Sequence, residues 1–199
     1  MPRLIEAGMK NKVMARHRPE MPTRARGTVL EVGMGSGLNL PHYTQAVSRL
    51  IGLEPSDLLR AEAARAARSP TRATTFPVEF LAAGAERIPL DSGSVDTVLS
   101  TWTLCSIPDL PSALREMRRV LKPDGRLLFF EHGRSPEARI SKWQDRLAPV
   151  FRGLAGCNLN RRIDAEIEAA GFHLIEIDRR YLDGPRLLTW HFMGQASPD

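Results

Sequence analysis

Cysteine is scarce: the 199 residues hold two, Cys105 and Cys157, 52 positions apart. That excludes a disulfide framework and any zinc or redox site built on CxxC spacing. No run of 18 apolar residues is present, so no stretch reads as a membrane span. Met1-Pro2-Arg3 leads into no signal-peptide core, and together these absences predict a reduced, cytoplasmic setting. Internal repeats and low-complexity tracts are missing too. What remains, 42% hydrophobic and 26% charged residues, is the composition of a soluble globular chain. At this length a single domain buries about 70% of its extended surface and requires no covalent or metal staple.

The net charge of +5 is confined to the front of the chain. Residues 1–26 carry Arg3, Lys10, Lys12, Arg16, Arg18, Arg24 and Arg26 against Glu6 and Glu20, an excess of +5. The 21 bases and 21 acids that follow cancel. A neutral body without a basic stripe or interleaved aromatics argues against nucleic acid as a partner. Within the front segment Ile5, Met9 and Val13 recur at four-residue spacing, beside Leu4 and Met14, among Lys10, Lys12, Arg16 and Arg18. The pattern predicts a basic amphipathic helix ended by Pro19 and Pro22, and a division into 1–26 and a domain over 27–199. Three roles stay open for it: a lid over a ligand site, a peripheral contact with an anionic membrane at the inner surface, or a solvated cap.

From Thr28 onward short apolar runs alternate with longer amphipathic ones. Strands are expected at Thr28–Val32, Arg49–Leu53, Glu79–Ala82, Val95–Ser100, Arg126–Glu131, His173–Tyr181 and Thr189–Met193. Helices are expected at Pro55–Ala67, Leu110–Leu121 and Arg161–Ala170. Lys122-Pro123-Asp124-Gly125 should end the second helix and turn into the next strand. Such alternation predicts an α/β fold, a mostly parallel sheet with helices on both faces. The last two strands have no helix between them, and Leu182–Arg186 holds Asp-Gly-Pro, so an antiparallel hairpin closes one edge. Ser69–Pro77 resembles a surface loop.

The most informative segment is Val29-Leu30-Glu31-Val32-Gly33-Met34-Gly35-Ser36-Gly37, an apolar strand entering a glycine turn. The dinucleotide fingerprint GxGxxG would need a third glycine where this chain has Leu38, and no P-loop lysine is present. Gly33-x-Gly35-x-Gly37 therefore favours a nucleoside ligand without a pyrophosphate. Glu54 follows the apolar run Leu50–Leu53, 21 positions after Gly33. An acid at the tip of a second strand can accept both hydroxyls of a ribose; it can also simply cap the helix that starts at Pro55 and Ser56.

At this point the chain resembles the class I S-adenosylmethionine-dependent methyltransferases, type-11 branch. The matching residues are Glu31–Gly37, Gly52-Leu53-Glu54-Pro55, Gly84-Ala85-Glu86-Arg87-Ile88-Pro89, Ser94–Val98 and Arg119–Arg126. Within that branch it is most similar to the methyltransferase-like thiol S-methyltransferases, through Gly93–Asp96, Leu104-Cys105-Ser106, Glu131-His132 and Gly156-Cys157-Asn158-Leu159. The resemblance implies a Rossmann-like sheet of seven strands with the last antiparallel. It also implies S-adenosylmethionine as cofactor, S-adenosylhomocysteine as product and a small-molecule methyl acceptor. Phospholipid N-methyltransferases and ubiquinone/menaquinone C-methyltransferases are more distant relatives, and a binding protein without catalysis is the rival from another class. The thiol-methylating relatives carry a longer hydrophobic anchor at the front, so their membrane residence is not transferred.

Carried over by position, the resemblance places the methionine end of the cofactor on Glu31 and the turn Gly33, Met34, Gly35, Ser36 and Gly37, with Asn39 following. It places the ribose on Glu54 with Pro55, the adenine on Ala85, and the sulfonium side along Ser100 and Thr101. Gly84 stands where many relatives have an acid for the adenine amino group; Glu86 is either its replacement or a surface residue. Methyl transfer is an in-line displacement that needs alignment, exclusion of water and an unprotonated nucleophile. His132, at the end of the fifth strand, is the candidate base, or a histidine bonded within its loop. Cys157 is either a substrate contact or a small apolar filler. Trp143, at four-residue spacing with Leu147 and Phe151, is either a wall or helix packing, and His42 and Tyr43 are further wall candidates. His132, Asp145, Cys157 and Asp164 lack ligand spacing, so no metal is expected.

Overall fold

A computed structural model describes residues 12–69 and 74–198. Seven strands form one sheet: β1 Gly27–Val32, β2 Val47–Leu53, β3 Val78–Leu81, β4 Val95–Thr101, β5 Leu121–His132, β6 Phe172–Tyr181 and β7 Trp190–Pro198. Their order is β3-β2-β1-β4-β5-β7-β6. β1 to β5 run parallel, and β7 lies antiparallel between β5 and β6. Helices α1 Lys12–His17, α2 Asp57–Ala67, α3 Leu110–Val120, α4 Ala138–Ala155 and α5 Ile163–Ala169 complete the fold. The seven-stranded, Rossmann-like α/β architecture expected from the sequence is present.

The central strands read as apolar runs because both faces of a parallel sheet are covered. Along β5, Leu127 and Phe129 enter one core, with α3 and α5, while Leu128 and Phe130 enter the other, with α2 and the front segment. α3 starts at Asp109, whose carboxylate accepts the Ser112 N–H at 3.1 Å. It buries Leu110, Ala113, Leu114, Met117 and Val120, a stripe at helical spacing. α2 is capped by Ser56, which accepts from the Leu59 N–H, and α4 ends at Gly156 in the left-handed region, φ +68°.

Four expectations change. Leu121 belongs to β5 rather than to α3. Lys122–Gly125 is a bulge inside β5: Leu121 pairs with Val95 and Arg126 with Thr97, which loops the four residues out of the ladder. α4, absent from the expected helices, fills the stretch between β5 and α5. Of Ser69–Pro77, residues 70–73 lie outside the described part, but Phe76 is buried against Tyr43 with ring centroids 6.2 Å apart. In the front segment α1 ends at His17 and 3-10 turns follow at Arg18–Glu20 and Pro22–Arg24. Leu4, Ile5, Met9 and Lys10 lie outside the described residues. Among those described, no helix is long and apolar enough to cross a membrane.

Candidate active site

β1 and β4 are neighbours in the sheet although β2 and β3 lie beyond β1, so the chain order reverses between them. Open α/β sheets form their ligand crevice at the carboxyl ends of strands at such a point. A cavity of about 410 Å³ opens there, its surface mostly apolar. The turn after β1 gives it Gly33, Met34, Gly35 and Ser36, with Glu31 and Asn39 at its edge; β2 ends in Glu54 and Pro55. Gly84, Ala85 and Glu86 supply another side, and Thr101 to Thr103 with Ser106 to Pro108 form the wall beyond β4.

Gly35 has φ +57° and nothing within 4 Å of where a side chain would begin. Beside it the buried Ser36 hydroxyl has no partner among the described residues. Glu54 accepts the Gly35 N–H on Oε2 and the Ser56 N–H on Oε1, each at 2.9 Å. It thus shapes both the turn and the start of α2, and each oxygen keeps a lone pair for a hydroxyl donor. An open cradle, an orphaned hydroxyl and a positioned carboxylate fit an adenosyl cofactor.

Glu31 is 2% exposed and sits in a polar network. Asn39 Nδ2 donates to its Oε1 at 2.8 Å and to Thr101 Oγ1 at 2.9 Å, while the Tyr43 hydroxyl donates to Oε2 at 2.6 Å. Burial still pushes the carboxyl up to about 7, although the bonds from Tyr43 and Asn39 and the charge of Arg18 oppose it. Burial and the adjacent carboxylate hold the Tyr43 phenol well above its ordinary range. Arg18 is buried too, donating to Asn39 Oδ1 at 3.1 Å with its guanidinium 4.9 Å over the Trp102 ring.

A second buried carboxylate, Glu131, holds the wall. It accepts Ser100 Oγ at 2.7 Å, the Thr103 N–H at 2.9 Å and the Leu104 N–H at 3.0 Å. Burial raises it to about 7 as well, against those bonds.

Comparison with known proteins agrees with this geometry. The family described as "Methyltransferase domain" matches residues 30–129. The chain belongs to that methyltransferase family. It is 32% identical over 183 residues to thiol S-methyltransferase TMT1B of Homo sapiens, covering 87% of this chain and 72% of that protein. It is 33% identical over 127 residues to the ubiquinone/menaquinone biosynthesis C-methyltransferase UbiE of Hahella chejuensis, covering 61% and 49%. Among solved structures, the geranyl diphosphate C-methyltransferase of Streptomyces coelicolor superposes with a TM-score of 0.70 at 15% identity, over 93% of this chain and 76% of that one.

As an S-adenosylmethionine-dependent methyltransferase the chain gathers most of its expected cofactor residues on one cavity, but not all. Ser100 is fully buried behind the lining, its hydroxyl committed to Glu131. Gly37 also stands off the lining; a side chain there would run into Leu40 and Ala63. None of the substrate candidates lines the cavity. Tyr43 reaches Glu31 from outside it, and His42 ends a short 3-10 turn. Trp143 is 50% exposed under the Arg146 guanidinium, on the outer side of α4. His132 is buried with Nδ1 3.7 Å from Cys157 Sγ, so both are turned toward each other behind the wall. Sequence reasoning missed Arg18, Trp102 and Glu131, whose partners lie 21 to 31 positions away or across the sheet.

Proposed function

We propose that this methyltransferase moves a methyl group from S-adenosylmethionine to a small apolar acceptor whose nucleophile is a thiol. The observation that carries the thiol is the reach of the likeness to TMT1B. At 32% identity it covers 87% of this chain and 72% of that protein, while likenesses to quinone C-methyltransferases at 31–33% identity cover 61% and 76% of this chain and 49% and 61% of those proteins.

Glu31 would hold the ammonium of the cofactor's methionyl group, with the backbone of Gly33 to Ser36 beside it, Glu54 would take the ribose hydroxyls and Ala85 would hold the adenine. When bound, the cofactor supplies a methyl group activated on a sulfonium. The transition state loses charge rather than building it, so the protein's work is alignment and exclusion of water. The apolar wall from Trp102 to Pro108 does both, fastened by Glu131. A thiol is already partly ionised near neutrality and attacks without a dedicated base. His132, directed at Cys157 rather than into the cavity, is not required for that step. The front segment acts as the lid, with Arg18 bridging Asn39 and Trp102.

The test is a methyl-transfer screen with labelled cofactor over alkyl thiols, amino lipids and quinols. Label on thiols supports the reading; label on an amino lipid or a quinol alone overturns the acceptor. S-adenosylhomocysteine binding with no transfer to any of them overturns catalysis itself.

A further inference from the structure

Three segments remote in sequence bring two sulfurs and an imidazole together behind the Trp102–Pro108 wall. Cys105 comes from the loop after β4, His132 from the end of β5, and Cys157 from the residue after the α4 cap. One donor atom of each lies within 4.8 Å of the other two, and Cys157 Sγ is 3.7 Å from His132 Nδ1. His132 has few other partners: its buried Nε2 has none among the described residues.

The backbone holds this arrangement independently of the three side chains. Asn158 donates its N–H and an Nδ2 hydrogen to the Cys105 carbonyl, at 2.8 and 3.0 Å. Arg152 fixes Asn158 in turn, donating to Oδ1 at 2.6 Å. Arg161 donates to the Leu104 carbonyl and, at 2.6 Å, to that of Ile107, on either side of Cys105. Gly156 turns the chain back at the end of α4, which delivers Cys157 to β5.

We propose that Cys105, His132 and Cys157 form a binding site for a divalent cation of the zinc class. Tetrahedral zinc, with bonds of about 2.3 Å to sulfur and about 2.0 Å to nitrogen, spaces its donors about 3.5–3.8 Å apart. The His132–Cys157 pair meets that spacing, and Cys105 is within a small side-chain adjustment of it. Three protein donors leave one corner of the tetrahedron for water or an exogenous sulfur ligand. Uptake releases the protons of both thiols to solvent, so binding strengthens as pH rises. The site stands whatever the methyl acceptor is, because its test involves no methyl transfer.

The experiment titrates the reduced, metal-free full chain with Co²⁺ and then Zn²⁺. The expected result is one cobalt per chain, visible absorption of tetrahedral strength, a near-ultraviolet sulfur-to-metal band, and displacement by zinc. Cys157→Ser and His132→Ala should each weaken uptake at least about 100-fold, more than losing a supporting contact costs, while keeping S-adenosylhomocysteine binding. Weak octahedral-type absorption, a spectrum without the sulfur band, or uptake unchanged in both variants overturns the site. So does a Cys105–Cys157 disulfide whose reduced form takes no cobalt. The unmodified chain's spectrum decides the matter even where a variant fails to fold.

Discussion

Tyr43 donates its hydroxyl hydrogen to Glu31 Oε2 across 2.6 Å, tying the stretch after the glycine turn to a carboxylate on β1. That bond favours the ionised form of a group that burial pushes up to about 7. The cofactor ammonium proposed to meet Glu31 would need the ionised form, so S-adenosylhomocysteine affinity should fall as pH drops below about 7. Tyr43→Phe should move that fall to higher pH. It should also weaken binding at neutrality roughly 10- to 100-fold, as expected for a charged hydrogen bond worth about 1.5–3 kcal/mol. Calorimetric titration across the neutral range reads both effects, and an unmoved pH profile in the variant refutes the link.

Glu31 also makes the cofactor-free fold pH-sensitive. Its folded value of about 7 lies above the ordinary 4.5, so the stability it contributes is complete below about 4.5 and lost as pH rises through about 7. A shift of that size corresponds to on the order of 3 kcal/mol. Glu31→Gln is neutral throughout and escapes this loss. Urea unfolding should therefore show the variant gaining on the natural chain, by about that amount, as pH rises from mildly acidic to mildly alkaline. Glu131 is present in both proteins, so its own upward shift cancels in the difference. Parallel pH dependences would contradict the buried charge.

The cofactor half was legible because its parts are short, contiguous and locally constrained. Val29–Val32 and Leu50–Leu53 are apolar because β1 and β2 are covered on both faces, and the glycine turn needs its own three glycines nearby. α4 was legible only as the four-residue spacing of Trp143, Leu147 and Phe151, because its inner face carries Ser141 and Gln144 beside Ala148 while Trp143, Val150 and Leu154 are exposed. Gln144 substitutes hydrogen bonds for apolar packing, accepting from the Ser135 N–H and donating to the carbonyls of Gly133 and Leu187. The Cys105–His132–Cys157 cluster escaped for a different reason: ligand spacing in sequence detects only donors that share a loop or helix, and these meet through the sheet. Arg18 read as one more base of an amphipathic helix, with nothing in the spacing to single it out, yet it is 7% exposed.

Glu131 should be worth as much to the wall as any apolar residue in it. Both of its oxygens receive hydrogens, from Ser100, Thr103 and Leu104. Glu131→Leu removes both acceptor oxygens at similar volume, leaving the Thr103 and Leu104 N–H groups without an acceptor at about 1–3 kcal/mol each. The expected outcome is a lower unfolding midpoint, faster amide exchange at Thr103 and Leu104, and weaker S-adenosylhomocysteine binding. Unchanged exchange at those two amides would show that the wall is held by other contacts.

The basic front segment earns its place through Arg18, which bonds Asn39 and stacks on Trp102 where both line the cavity. The segment is secured from the other side as well: Glu20 accepts from Arg180 at 2.6 Å and pairs with His17 at 2.5 Å. As the lid proposed above, the segment would act chiefly on ligand release, because its contacts would have to break before a bound cofactor could leave. Arg18→Ala should therefore speed S-adenosylhomocysteine dissociation about 10-fold or more, the equivalent of one charge-assisted bond and one cation–π contact, with a smaller change in association. Glu20→Gln, remote from the cavity, should raise the off-rate less. Stopped-flow displacement gives the rates directly, and equal off-rates in all three proteins would return the segment to a surface role, to be tested by sedimentation with anionic vesicles.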